Sequence, residues 1–321
     1  MMKNVYLQTF IVLFAIISIF GCEKEEPIGP NLEDLYGAFR IFDSLGVSHN
    51  QIDFSTSEQI RFTGSWSTIS NFTITIVGQT SGAIKTIQGK SSTLDSVVYD
   101  WNGTADGIFF KEEICDINLS LTEQDVSMKT TVTITGKRDY SHDGIILKTF
   151  EGTATEEFWG GNGNNKKQID QDDAPEGSNY YYMEGTEPGN AYWIGSFAPI
   201  TASAVAGTPH LPFEMGTAAT TYINFFIRGH GYANSVVNFQ TKIDNEDGSE
   251  GSYSYRYEVT ETEWQKISIP LNELTSDDDA TPLQDVDKIS TIYVMLFSNG
   301  VATPKVGFDI DFIILTQGKP L

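Results

Sequence analysis

Two stretches of this chain carry polar side chains spaced for recognition. Across residues 221–228, strict alternation puts Tyr222, Asn224, Phe226 and Arg228 on one face of a strand and Ile223, Phe225 and Ile227 on the other. In the next stretch Val236, Asn238, Gln240 and Lys242 share a face opposite Val237, Phe239 and Ile243. If the two strands pair as a hairpin, Asn224, Arg228, Asn238, Gln240 and Lys242 form one polar face above an apolar core. Amides and a guanidinium match the paired donors and acceptors of neighbouring hydroxyls, and an aromatic plane covers the apolar side of a sugar ring. Tyr192 and Trp193, or Tyr232 in the loop between the strands, can supply that plane. The alternative is a solvent-facing polar surface with ordinary exposed aromatics.

Catalytic constellations are harder to find. His49, His142, His210 and His230 stand singly without metal-ligand spacing, and there is no Gly-x-Ser-x-Gly elbow or phosphate-binding glycine loop. A retaining glycosidase needs two carboxylates about 5–5.5 Å apart, which so acidic a chain leaves open. Arg228, His230 and Tyr232 suggest a polysaccharide lyase, yet the Gln-x-His and Tyr-x-Lys signatures of jelly-roll alginate lyases are missing, as is the laminarinase pattern Glu-x-Asp-x-x-Glu. Asp244-Asn245-Glu246-Asp247-Gly248 is similar to the start of an EF-hand loop, but Ile243 holds the first ligand position, which predicts a charged hairpin turn. Asp277-Asp278-Asp279 reads as a solvated loop.

The elements that must position these residues begin behind an export signal. Lys3 gives a positive start, residues 10–20 are almost unbroken apolar, and Gly21 precedes Cys22, a pattern that ends in cleavage before the cysteine. The run is short for a membrane span, which needs about 20 apolar residues. Pro27-Ile28-Gly29-Pro30 keeps the following chain extended. What remains, roughly 300 residues, suffices for two domains. With 43 Asp and Glu against 20 Lys and Arg, the net charge is -23. Nucleic acid and anionic membrane surfaces reward basic patches and are disfavoured partners. Uronate-rich or sulfated polymers are disfavoured too, unless a local basic groove overrides the global sign. With Cys22 taken by processing, Cys115 has no disulfide partner, and its alternation with Ile117, Leu119 and Leu121 makes it a buried small hydrophobe.

From residue 32 to 140, five or more short strands alternate or carry β-branched residues, with turns at Thr80-Ser81-Gly82, Gly89-Lys90-Ser91 and Asn102-Gly103. No helical period is sustained, so a small Greek-key sandwich is expected, with Trp66 and Trp101 as core or edge aromatics. A polar join near residues 139–144 leads into further strands, most clearly at 221–228, 236–243, 253–259, 264–269, 289–297 and 306–315. Their even spacing predicts a jelly-roll β-sandwich.

Several segments carry resemblances. Ile19-Phe20-Gly21-Cys22 resembles the bacterial lipobox, which implies acyl chains on Cys22 and stable membrane anchoring, since two or more chains bury enough CH2 groups where one is marginal. Glu23-Lys24-Glu25-Glu26 is similar to the tract that sends Bacteroidota lipoproteins to the outer face of the outer membrane. Tyr99-Asp100-Trp101-Asn102-Gly103-Thr104 resembles a hairpin of bacterial immunoglobulin-like spacer modules. Phe150-Glu151-Gly152, Trp264-Gln265-Lys266-Ile267-Ser268-Ile269-Pro270-Leu271 and Gly307-Phe308-Asp309-Ile310-Asp311-Phe312 resemble carbohydrate-binding modules with a galactose-binding-like jelly roll. That likeness implies a structural role for Trp264 and a calcium ion between first and last strands, held by Glu151, Asp309 and Asp311.

The expectation is therefore an all-β chain: signal peptide 1–21, acidic and Pro-containing linker 22–31, immunoglobulin-like sandwich 32–140 as spacer, and a carbohydrate-binding-module-like β-jelly roll at 145–317. As a whole it resembles the surface glycan-binding lipoproteins of Bacteroidota polysaccharide-utilisation systems. This implies non-catalytic capture of a neutral polysaccharide or oligosaccharide, in company with an outer-membrane glycan transporter and its lid lipoprotein. A structural or adhesive surface protein and a glycoside hydrolase or lyase are the alternatives.

Overall fold

The structure, a computed structural model, describes residues 37–152, 165–170, 173–186, 193–212, 216–245, 248–299 and 305–321, with only the backbone at 165–170. Contacts divide the chain into two compact units, Met1–Ile41 and Phe42–Leu321. Of the first, only residues 37–41 are described, so the leader, Cys22 and the linker lie outside the described residues, as does Tyr192.

The second unit opens with strands β1 (Ile41–Val47), β2 (Gln51–Asp53), β3 (Phe62–Gly78), β4 (Ile84–Thr93), β5 (Ile114–Leu121) and β6 (Val126–Gly136). They join in the order β1-β3-β5-β6-β2, with β4 also on β3. Alternation does what the sequence predicts: Ile74 and Ile76 on β3, and Cys115, Ile117, Leu119 and Leu121 on β5, all point inward and are buried. Trp66 and Trp101 are buried too, each donating its indole N–H to a backbone carbonyl, Ser91 at 3.0 Å and Thr104 at 2.8 Å. The expected turn at Gly89 is not there, because β4 runs straight through it. A Cβ on Gly89 would lie 2.5 Å from Phe72 Cζ and 2.7 Å from Tyr99 Cε1. The glycine admits two ring edges instead of turning the chain.

Twelve strands follow: β7 (Gly144–Lys148), β8 (Asn165–Asp170), β9 (Asn179–Gly185), β10 (Trp193–Ser196), β11 (Ile200–Thr201), β12 (Thr221–Gly229), β13 (Ser235–Asp244), β14 (Glu250–Glu258), β15 (Gln265–Pro270), β16 (Thr275–Ser276), β17 (Ile289–Ser298) and β18 (Val306–Gln317). A short helix α1 (Ala202–Ala206), capped by the Thr201 hydroxyl, sits between β11 and β12. One sheet runs β10-β17-β13-β14-β16 with β11 on β17, and the other β15-β12-β18-β9-β8 with β7 on β18. Ile223, Phe225 and Ile227 of the second sheet and Val237, Phe239, Val294 and Leu296 of the first share one buried cluster. The all-β class read from alternation, with a jelly-roll sandwich at the C-terminal end, is the class found.

This topology overturns the hairpin. β12 pairs with β15 and β18, whereas β13 pairs with β14 and β17. The two consecutive strands lie in opposite sheets, so Asn224 and Arg228 face out on one side of the sandwich and Asn238, Gln240 and Lys242 on the other. The single polar face does not exist.

The outer side of the β12 sheet is itself covered. Phe226, Phe312 and Ile314 cluster with Phe109 and Tyr140 from the N-terminal half. Phe109 stacks on Tyr140 at 4.0 Å and meets Phe226 and Phe312 edge-on at 4.9 and 5.1 Å. A bulge in β18 makes this possible: Asn224 faces Ile314 while Phe226 faces Asp311, and Phe312 takes φ +41°. The one extra residue swings Phe312 outward to the N-terminal half, while Ile310 and Ile313 stay in the sandwich core. Eleven consecutive residues of β18 are buried as a result, because both faces of the strand are packed.

Candidate functional site

The outer face of the β10-β17-β13-β14-β16 sheet gathers the groups that a polyhydroxylated ligand needs. Trp193 on β10 pairs with Phe297 on β17, and Phe297 with Val236 on β13, so the indole and the phenyl ring lie on the same outer face. One step along, Asn238 lies between Met295 and Arg256, and one step further Gln240 lies between Tyr293 and Ser254. Lys242 lies between Thr291 and Ser252. The face from Trp193 to Arg256 crosses four strands, roughly 14 Å at about 4.8 Å per step, and extends roughly 20 Å along β17.

Trp193 is 37% exposed, one of the large apolar side chains left open to solvent. Arg256 is exposed, with its guanidinium 4.8 Å over the Phe297 ring. Tyr293, Phe297 and Gln240 are half-buried. Gln240 donates to Asp277 Oδ2 at 2.7 Å and to Ser254 Oγ at 3.4 Å, so Asp277 belongs to the rim of this face and not to a free acidic loop. Lys242 is tied to Ser252 and, at 3.5 Å, to Glu250. Asn238 is 2% exposed and sits in the floor, its Oδ1 without a hydrogen-bond partner among the described residues.

Of the residues expected to bind, Trp193, Asn238 and Gln240 come together here. Asn224 does not: it is fully buried, donating to Ile314 O and Thr316 Oγ1 and accepting from Leu321 N at 3.0 Å. Its amide joins β12 to β18 and the C-terminal segment. Arg228 is committed as well, to Asp309 through Nε at 3.0 Å, to Asp173 through Nη1 at 2.7 Å, and to the rings of Trp264 at 4.5 Å and Tyr180 at 5.2 Å. Tyr232 donates to Glu184 at 2.9 Å, which also accepts from Tyr182 and Lys305. Arg256, Tyr293 and Phe297 went unrecognised from sequence. Alternation in 289–298 does group Tyr293 and Phe297 on one face, but nothing local pairs that strand with β13.

His230 and Tyr232 do meet near Arg228, as a lyase would need. His230 Nε2 lies 2.9 Å from Asp309 Oδ1 and its ring stacks on Tyr182 at 4.5 Å. Burial first, then the hydrogen bond to Glu184, pushes the Tyr182 hydroxyl well above its ordinary range, so it keeps its proton. That suits a structural network rather than a tyrosine base.

Of the carboxylates expected to hold calcium, Asp309 stands apart, while Glu151 and Asp311 lie near Glu176. Both oxygens of Asp309 are taken by Arg228 and His230. Glu151 Oε1 accepts from Ser178 N and Asn179 N, and Asp311 accepts from Glu176 N at 2.9 Å and Phe312 N at 2.8 Å. Among the described residues no three His, Cys, Asp or Glu side chains converge as a metal shell. Asp309 does not fit a calcium shell with Glu151 and Asp311, because both its oxygens are turned to cations. Asp311 is fully buried, and burial, aided by the carboxylates of Glu176 and Glu151, raises its pKa well above the usual range.

No protein-family model matches the chain, and no curated protein matches it. Among solved structures it is similar to the family 11 carbohydrate-binding module from Clostridium thermocellum in complex with a beta-1,3-1,4-mixed-linked tetrasaccharide, at 17% identity and TM-score 0.39, over 55% of this chain and 97% of that one. It is similar to SGBP-B from a complex xyloglucan utilization locus in Bacteroides uniformis, at 17% identity and TM-score 0.40, over 85% of this chain and 72% of that one. The CBM22-1 xylan-binding domain of a Paenibacillus barcinonensis protein matches at 15% identity and TM-score 0.35, over 56% and 97%.

Proposed function

We propose that the outer face of the β10-β17-β13-β14-β16 sheet binds a neutral glycan and does not cleave it. One observation carries this reading: an exposed indole, Trp193, stands in register with Phe297 on a face that also presents Tyr293 further along β17, Arg256 and the Gln240 amide. Ring faces stack on the apolar side of a sugar while guanidinium and amide groups address its hydroxyls. The platform is longer than a single sugar ring, which favours an oligosaccharide segment of a polymer. Gln240 is half-buried and hydrogen-bonded, and the exposed Arg256 rests over the Phe297 ring, which lowers the entropy lost on binding.

In the fuller proposal, Cys22 carries the lipid anchor at the outer membrane, facing outward, and the captured polymer passes to a glycan transporter and its lid lipoprotein. Affinity electrophoresis against β-glucan, xylan, mannan and xyloglucan, with reducing-sugar release measured in parallel, tests the core of this. Retardation by at least one neutral polymer without release is expected. Trp193→Ala should weaken that interaction about tenfold, near 1.4 kcal/mol, with an unchanged melting temperature. Equal retardation by the variant would remove this face as the site, and sugar release would make the protein an enzyme.

A further inference from the structure

A second cavity lies between the N-terminal half and the outer side of the β12 sheet. It encloses about 430 Å³, within the usual range for small-molecule sites. Lys266, Lys85, Asp106, Tyr140 and Gln317 are among its walls, so both halves of the unit build it.

Its charges do not balance locally. Asp106 is already engaged: Oδ1 accepts from Lys85 Nζ at 2.8 Å and Oδ2 from Thr86 N at 2.7 Å. Asp143, also at the wall, holds Arg138 through both oxygens at 3.0 and 2.8 Å. Lys266, opposite Phe226 on the covered side of β15, is half-buried and forms no ion pair among the described residues. An ammonium group partly removed from water without a partner is unfavourable. On the N-terminal wall, Tyr140 is 7% exposed and its hydroxyl has no hydrogen-bond partner among the described residues. A half-buried ammonium from one half of the unit and an aromatic wall from the other therefore border one cavity.

We propose that this cavity binds a small organic carboxylate of about the size of a sugar ring, with Lys266 as its counter-ion and Tyr140 and Phe109 as part of its wall. A monoanion suits the site better than phosphate, since only one half-buried cation is unpaired and a dianion needs more. Burial, then the repulsion of Lys85, lowers the Lys266 pKa against the weaker attraction of Asp106, a cost that an incoming carboxylate relieves. A uronic acid, free or as a substituent on an otherwise neutral polymer, has this chemistry. In a chain of net charge -23, such a cavity is the local exception that admits an acidic sugar. The inference is independent of the glycan-binding face, which lies on the opposite sheet.

Calorimetric titration of the full chain with D-glucuronate, D-glucose and inorganic phosphate at constant ionic strength tests it. Saturable 1:1 binding of glucuronate alone is expected. Lys266→Gln should weaken it at least tenfold, and Lys266→Arg should retain most of the affinity, with near-ultraviolet circular dichroism confirming that both variants fold. Glucuronate that gives no saturable heat, or that binds Lys266→Gln as well as the parent, overturns the proposal. Phosphate binding as tightly as glucuronate overturns the carboxylate assignment. Glucuronate affinity lost in Trp193→Ala moves the ligand to the glycan face and overturns the cavity.

Discussion

At the residue scale, the same side-chain type acquires opposite roles from its neighbours. Asn224 and Asn238 were both expected to meet ligand, yet Asn224 is consumed by β18 and the C-terminal segment, while Asn238 keeps an oxygen without a partner among the described residues, beneath the outer face of the β13 sheet. Cys115 behaves as its alternation implies: burial, then the charges of Glu113 and Asp116, pushes its thiol up to about 12, so it is inert at neutral pH. Asp311 supports a prediction with a definite sign. Its pKa is raised in the fold, whereas in the unfolded chain it titrates near the ordinary value of about 3.9. Above that pH the unfolded chain releases the proton and the native chain holds it, so the native state binds more protons and stability falls as pH rises toward the folded pKa. Glu176, raised chiefly by burial, adds a trend of the same sign. Denaturant unfolding of the parent and Asp311→Asn from pH 4 to 8 should show the parent losing stability relative to the variant with increasing pH. Parallel pH profiles would place the proton elsewhere.

At the level of elements, the two halves are joined by more than a linker. The Phe109 ring, seated against Tyr140, Phe226 and Phe312, is reinforced by the Phe109 N–H to Pro175 O bond at 3.1 Å and by the Lys137–Glu176 ion pair. Phe109→Ala removes a buried aromatic from this cluster, and large-to-small changes of that kind cost about 3–5 kcal/mol. Calorimetry of the soluble chain should give one unfolding transition for the parent and two separated transitions for Phe109→Ala, as the halves uncouple. A single transition at the parental temperature would show that the contact contributes little. The strands on either side of the interface were legible from period-2 alternation, because each strand's own residues set which side faces inward. The β18 bulge was not. Residues 306–315 read as one strand, with Asp309 and Asp311 on a shared face, and only the position of the N-terminal half explains why Phe312 turns outward.

For the whole molecule, anchoring is the open proposition. Two or more acyl chains hold a protein on a membrane stably where one does not. Metabolic labelling with palmitate in a bacterial host should mark the full-length chain and leave Cys22→Ser unlabelled, while surface proteolysis of intact cells reports which side the sandwiches occupy. Label retained in Cys22→Ser would end the lipoprotein proposal. By itself, the order of residues determined the all-β class, the positions of most strands and the burial of Cys115, since alternation and turn chemistry act over a few residues. Only the tertiary structure decided which strands are neighbours. β13 finds β17 some fifty residues away, and not β12 beside it in sequence, because both apolar faces are buried only when the two sheets stack. That single choice sends Arg228 to Asp309 and Trp264, brings Trp193, Tyr293 and Arg256 onto one outer face, and leaves Lys266 without an ion-pair partner among the described residues.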